Sequence, residues 1–167
     1  MTAYEDGWKE GYRAASSVIE PSSKNDWVKD IHDMHKKYGV HEWVEANKHD
    51  VDKMQKFMQF RLCFLQEELD ETQDAFMQGD TEEIVDGLID LCVIAIGTLD
   101  AYGCDAHGAW REVLRANLSK QVGIKESRPN PLGLPDLVKP EGWKGPDHEG
   151  KTGILNDVFA DERELKW

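Results

Sequence analysis

From Asp50 to Tyr102 the chain breaks its helical periodicity once, at Gly79, and that single break decides most of what it can fold into. Up to Gln78 one apolar line at helical spacing runs through Met54, Met58, Leu62, Leu65, Leu69 and Phe76. A second begins with Phe57, Phe60 and Phe64 and then continues as acids, through Glu67 or Glu68 to Glu71. Gly79 ends the helix, and Asp80 is a ready N-cap for the next, with Glu83 at the third helical position. From Thr81 to about Tyr102 the chain is apolar almost all round, from Ile84 and Val85 through Leu88 and Ile89 to Ile96 and Leu99. Such a helix belongs in the middle of a bundle or at a subunit interface. Asp86 and Asp90 interrupt it.

Flanking segments extend the same plan. Asp26 or Asn25 can cap a helix through Tyr38 that carries Trp27, Ile31 and Met34 on one side. "HEWVEANKHD" reads as polar and irregular. Gly103 breaks the long apolar helix, and Asp105 caps a fourth that runs to about Lys120. No β-alternation of any length precedes residue 121. The last stretch, rich in Gly, Pro and charge, is expected to wrap on the bundle as loop with room for one small hairpin. The expectation is therefore all-α: an antiparallel bundle of about four main helices over residues 25–122. An extension covers 1–24 and a loop-rich tail covers 123–167.

Composition narrows the partners. At 167 residues the chain is most simply one domain, and its net charge of −13 argues against a nucleic acid clamped on a basic surface. A small phosphorylated ligand remains open, because a divalent cation reverses the local sign. The most apolar stretch, Ile84–Leu99, contains two aspartates, so no membrane partner is expected. The first residues, "MTAYEDGWKEGYRAASS", lack the basic start and apolar run of a signal peptide. Cys63, Cys92 and Cys104 are too scattered for a disulfide framework. The first two sit in apolar helical patterns and are expected as buried thiols, which fits a reducing, cytoplasmic compartment.

The interrupting acids are what need explaining. At about 100° per residue, Glu67, Glu68 and Glu71 share one sector of their helix, while Glu83, Asp86 and Asp90 share one sector of the next. A hairpin at Gly79 can bring the two sets face to face. Carboxylates crowded this way repel and lose solvation, a penalty that a hard divalent cation with oxygen ligands removes. Solvated helix faces account for "QEELDE" on its own, and Glu83 alone reads as the acid of a capping box. Asp86 and Asp90, among large apolar neighbours, resist that account unless Arg or Lys pairs with them. On the fourth helix Arg115, Asn117 and Lys120 supply donors suited to phosphate or a base edge, although a basic last turn also serves the helix dipole. Phe57, Phe60, Trp27 and Trp143 are candidates for stacking on a base, or simply core. A zinc site from His32, His35, His41 or His49 is disfavoured by the absence of neighbouring cysteines.

With "EELDE", "EIVD", "LIDL" and "RANLSK" in order, the chain resembles the all-α nucleoside triphosphate pyrophosphohydrolases, the MazG-like superfamily, in a small phage-type or bacterial branch. Their EExxE and ExxD patterns fall on Glu67, Glu68 and Glu71, then Glu83 and Asp86. Asp90 and the Asn117–Lys120 pair follow, and the resemblance runs from about Trp27 to Asp147. It implies Mg²⁺ (with Mn²⁺ as a substitute) held among Glu67, Glu68, Glu71, Glu83 and Asp86. It also implies cleavage of a (d)NTP to (d)NMP and pyrophosphate, in a homodimer or homotetramer. Glu68 or Glu71 would activate water, Lys120 would offset phosphate charge, and Asn117, Arg115 and Asp90 would hold the substrate. A phage-encoded chain would work in the host cytoplasm. Phosphoribosyl-ATP as substrate, and a non-catalytic nucleotide sensor or scaffold of the same fold, are the alternatives.

Overall fold

The computed structural model describes residues 26–125, 132 and 136–160; the extension expected over 1–24 lies outside them. The described residues form six helices and one antiparallel ribbon. The helices are α1 (Trp27–Lys37), α2 (Val40–Asn47), α3 (Val51–Gln78), α4 (Thr81–Ala101), α5 (Ala106–Leu118) and α6 (Leu155–Phe159). The ribbon pairs β1 (Gln121–Gly123) with β2 (Asp136–Val138), Val122 facing Leu137. Six helices replace the expected four.

Four aspartates start the helices. Asp26, Asp50, Asp80 and Asp105 each accept a backbone N–H from the first turn that follows, which satisfies donors a helix end otherwise leaves open. Gly79 closes α3 in the left-handed region, at φ 72°, and the Asp80 N–H returns to the Ala75 carbonyl at 2.9 Å. A two-residue turn thus folds α4 back along α3. Arg61 meets Ile94 and Thr98, and Thr72 meets Gly87, so the contacts run in opposite directions along the two helices.

The segment read as irregular is α2. Gly39, at φ 75°, reverses the chain after α1, and Val40, Trp43 and Val44 then share one helical face. Val44 is buried, and Trp43 lies against Phe57 with ring centroids 5.0 Å apart. Packing of these three apolar residues at helical spacing, with Val44 buried, Val40 half-buried and Trp43 on Phe57, outweighs the polar average of the stretch.

One end of the bundle is its core. Val44, Met54, Ala101, Tyr102 and Val158 pack together, with Phe57, Met58, Ile154 and Phe159 around them. The Tyr102 hydroxyl donates to the Met54 carbonyl at 2.6 Å, and burial pushes its pKa up to about 12. The tail is tied to this end. Ile154 N–H donates to the Tyr102 carbonyl and Asp105 N–H to that of Lys151, while Gln55 reaches the Val158 carbonyl. At Gly153 (φ 54°) any side chain would collide with the Tyr102 carbonyl oxygen, 2.1 Å from its Cβ.

Elsewhere large apolar side chains are bare. Leu62, Leu69 and Phe76 on α3, Val85, Leu88, Ile89 and Leu99 on α4, and Trp110, Leu114 and Leu118 on α5 are exposed. Cys63 is exposed and Cys92 half-buried, so the expectation of two buried thiols is corrected. Their apolar stripes face outward because one chain has too few elements to cover them. No helix among the described residues is long and apolar enough to cross a membrane.

Candidate active site

The acids assemble where α3 and α4 come closest. Gly87 is buried, and a methyl group there would stand 2.3 Å from Thr72 Oγ1 and 3.5 Å from the Glu68 carbonyl oxygen. Thr72 itself donates to that carbonyl at 2.7 Å, which keeps its hydroxyl folded onto its own helix. The missing side chain at 87 lets the helices touch, and it lies beside Asp86 and three residues before Asp90.

Glu68 and Asp90 are half-buried at this contact, whereas Glu67, Glu71, Glu83 and Asp86 are exposed. The Glu68 carboxyl is raised above its ordinary pKa, first by burial and then by the charges of Asp90, Glu71, Glu67 and Asp86. That field joins five of the six expected acids into one group spanning both helices. Glu83 stands one turn nearer the hairpin, where its N–H is capped by Asp80. Among the described residues, none of the six carboxylates is paired with a base or hydrogen-bonded through its side chain. The ion pairs all lie elsewhere.

The donors have the chemistry a hard divalent cation takes: oxygens gathered at a helix–helix contact, one raised in pKa by burial and by its neighbours, none neutralised by Lys or Arg among the described residues. No three of these carboxylates bring oxygens within 4.8 Å of one another, so the side chains would have to draw together around an ion. Arginine pairing, the bland explanation for Asp86 and Asp90, does not occur here. Arg61 instead ties the helices together beyond the acids. Its guanidinium donates to Thr98 Oγ1 at 3.0 Å and to the Ile94 carbonyl at 2.9 Å.

The expected phosphate-side residues form a separate group at the end of α5. Lys120 Nζ donates to Asn117 Oδ1 at 2.8 Å and lies 5.7 Å from the centre of the Trp143 ring, while Lys139 lies 4.6 Å from that ring. Trp143 Nε1 donates to the Ala116 carbonyl. Arg115 is committed to Glu112 and to the Gly145 carbonyl, each at 2.8 Å, so it anchors the tail. No hydrogen bond or ion pair among the described residues links this group to the acids of the same chain. Phe60 is exposed against Phe64, Phe57 packs on Tyr102 near the core, and Trp27 begins α1 half-exposed.

A second constellation centres on Asp100, which sequence reasoning did not single out. His32 Nδ1 lies 2.8 Å from its Oδ1, and His35 Nδ1 and His41 Nε2 lie 2.8 and 2.7 Å from its Oδ2. Ligand atoms of His32, His41 and Asp100 fall within 4.8 Å of one another, a set able to hold a divalent metal. Histidines at 32, 35 and 41 were visible in the sequence; their meeting point on α4 depends on the turn at Gly39.

A long helical hairpin thus carries a group of acids across its contact, none of them neutralised among the described residues. Residues 41–117, somewhat under half of the chain, match the family model described as phosphoribosyl-ATP pyrophosphohydrolase, PRA-PH. The matched stretch holds all six acids, Arg115 and Asn117, and stops short of Lys120 and Trp143. No curated protein matches the chain.

Proposed function

We propose that the chain is a divalent-metal-dependent pyrophosphohydrolase that opens the α–β phosphoanhydride of a nucleotide, with phosphoribosyl-ATP as the substrate the family match favours. The observation that carries the reading is Glu68: a carboxyl raised by burial and by four further acids across a helix contact, with no base nearby to neutralise it. Glu67, Glu68, Glu71, Glu83 and Asp86 would hold Mg²⁺, or Mn²⁺ in its place, with Asp90 behind Glu68. When bound, the ion neutralises phosphate charge and makes water more acidic. Glu68, more proton-hungry than an ordinary carboxylate, is the better base toward the attacking water, and Glu71 orients it. Lys120 offsets charge on the phosphates, and Asn117 presents its amide to the substrate.

Lys120 and Asn117 would serve the acids of a neighbouring copy. The uncovered apolar residues around the acids, Leu69, Val85, Leu88 and Ile89, support a homodimer or a pair of dimers. Cleavage of a (d)NTP to (d)NMP and pyrophosphate is the second reading. Asn117, Lys120 and Trp143 favour it, since one amide, one ammonium and one indole face suffice for a triphosphate and a base. Three unbridged cysteines suit a cytoplasmic setting.

The deciding assay presents phosphoribosyl-ATP and a panel of NTPs and dNTPs to the purified chain with Mg²⁺ and resolves the products. Release of pyrophosphate together with a monophosphate is expected. Binding without turnover would leave the sensor reading standing, and release of orthophosphate would reject the proposed bond.

A further inference from the structure

We propose that His32, His41 and Asp100 form a site for a borderline divalent transition metal of the zinc class, separate from the acidic group and tying α1, α2 and α4 together. The ligand chemistry differs from that of the acids: two imidazole nitrogens and one carboxylate oxygen suit zinc, whereas an all-oxygen set suits magnesium. In a tetrahedral zinc site, bonds near 2.0–2.2 Å set neighbouring donors about 3.3–3.6 Å apart. His32 Nδ1 and His41 Nε2 already stand 2.8 and 2.7 Å from the Asp100 oxygens, with all three donors within 4.8 Å, so adjustments of about an ångström admit the ion. The two rings lie close together, centroids 4.5 Å apart, and each turns a nitrogen to the same carboxylate, His32 to Oδ1 and His41 to Oδ2.

His35 plays a different part. Its ring is buried against Gly97, where an added Cβ would sit 3.0 Å from Nε2, and its Nδ1–H is bonded to Asp100 Oδ2. It holds the carboxylate in place from behind, as an outer partner orients a metal ligand. Open space lies in front. A groove of about 440 Å³ lined by His32, His41, Asp100, Glu45, Lys48 and Cys104 gives the ion a way in and leaves the fourth position to water. Cys104 does not compete: burial raises its pKa and its thiol donates to the Thr152 carbonyl.

A hub of hydrogen bonds needs no metal, since one carboxylate can accept three N–H groups. It would not need half of the His32 side chain in solvent or a groove opening on two imidazoles; the metal reading accounts for both. His32 and His35 also lie outside the stretch matched by the family model, so the site spans that boundary and the matched segment alone does not supply it.

The test uses the full chain without a histidine tag, stripped of metal, titrated with Zn²⁺ in calorimetry and with Co²⁺ in visible absorption. One equivalent is expected to bind with a tetrahedral-type cobalt spectrum, and zinc should raise the melting temperature by several degrees. The His32→Ala/His41→Ala variant should lose at least about 100-fold in affinity, while Glu68→Gln/Glu71→Gln should bind one equivalent as before. The exposed His32→Ala exchange alone, checked by circular dichroism, replaces the double variant if that fails to fold. No stoichiometric binding overturns the proposal. So does binding that survives the histidine exchanges or disappears with the glutamate exchanges.

Discussion

The same helix pair treats its carboxylates in two opposite ways. Near the hairpin, Glu68 faces Asp90, Glu71, Glu67 and Asp86 with no counter-charge, and its pKa rises. About three turns further along α4 from Asp90, Asp100 gathers three imidazoles. Burial alone would raise its pKa, but the hydrogen bonds from His41, His32 and His35 outweigh burial and hold it below the ordinary range. Folding has satisfied one carboxylate and left a group of others in conflict. Conflict of that kind is retained where a ligand resolves it. On the proposed function the acidic contact is the place for chemistry, and the Asp100 hub is a place of assembly.

The largest expected effect tests the first half of this contrast. Glu68→Gln keeps the shape and removes the charge, so magnesium-dependent hydrolysis should fall about 10²–10⁴-fold in kcat. The metal-free protein should meanwhile be no less stable, because a repulsion has gone; steady-state kinetics beside urea melts read both. Asp100→Ala should behave in the opposite manner. It strands the buried His35 donor and loosens His32 and His41, at a cost of about 1–3 kcal/mol in unfolding free energy, with the turnover of the folded fraction little changed. If the two variants exchange phenotypes, the division of labour is wrong.

How far the sequence foretold this division depends on which contacts are local. Asp26, Asp80, Asp105 and Gly79 announced their helix ends, since a cap is decided within four residues. Facing of Glu67–Glu71 against Asp86 and Asp90 was also readable, because a two-residue turn leaves a helical hairpin little freedom. The α2 helix was hidden, since "HEWVEANKHD" is polar on average and its three apolar residues acquire meaning only against Met54 and Tyr102. Asp100 was hidden for the same reason: its partners are 59 to 68 positions away. Arg115 reads as a phosphate ligand in sequence but spends its hydrogen bonds on Glu112 and Gly145, a tail contact no helical pattern encodes.

A smaller effect probes how closely the acids are set. Gly87→Ala gains about 0.5–1 kcal/mol of helix propensity but drives a methyl into Thr72 Oγ1, an overpacking that costs about 1–3 kcal/mol. A net loss of about 1 kcal/mol is expected by urea denaturation, with a larger proportional loss of hydrolysis as Glu68 and Asp90 are pushed apart. Thr72→Ala should restore much of both, and a double-mutant cycle measures the coupling. Purely additive losses would mean the close approach at Gly87 does not set the acids' spacing.

The smallest effect lies in pH dependence and separates the two regions without touching activity. Glu68 has a folded pKa above its unfolded value, so the folded chain binds its proton more readily. Its contribution is fully favourable below the unfolded pKa and is lost as pH rises through the raised one. Asp100 has a folded pKa below its unfolded value. Its contribution is present above the unfolded pKa and is lost as pH falls through the lowered one. Metal-free unfolding free energies of wild type and Glu68→Gln should therefore diverge as pH rises past the raised Glu68 pKa, with the variant the more stable on the neutral side. The same comparison for Asp100→Asn should diverge in the opposite sense, the variant being the less stable at neutral pH and the gap closing only in stronger acid. A Glu68→Gln curve parallel to wild type across this range would show that the acids are not in conflict, and with that the reason for placing the cation between them would go.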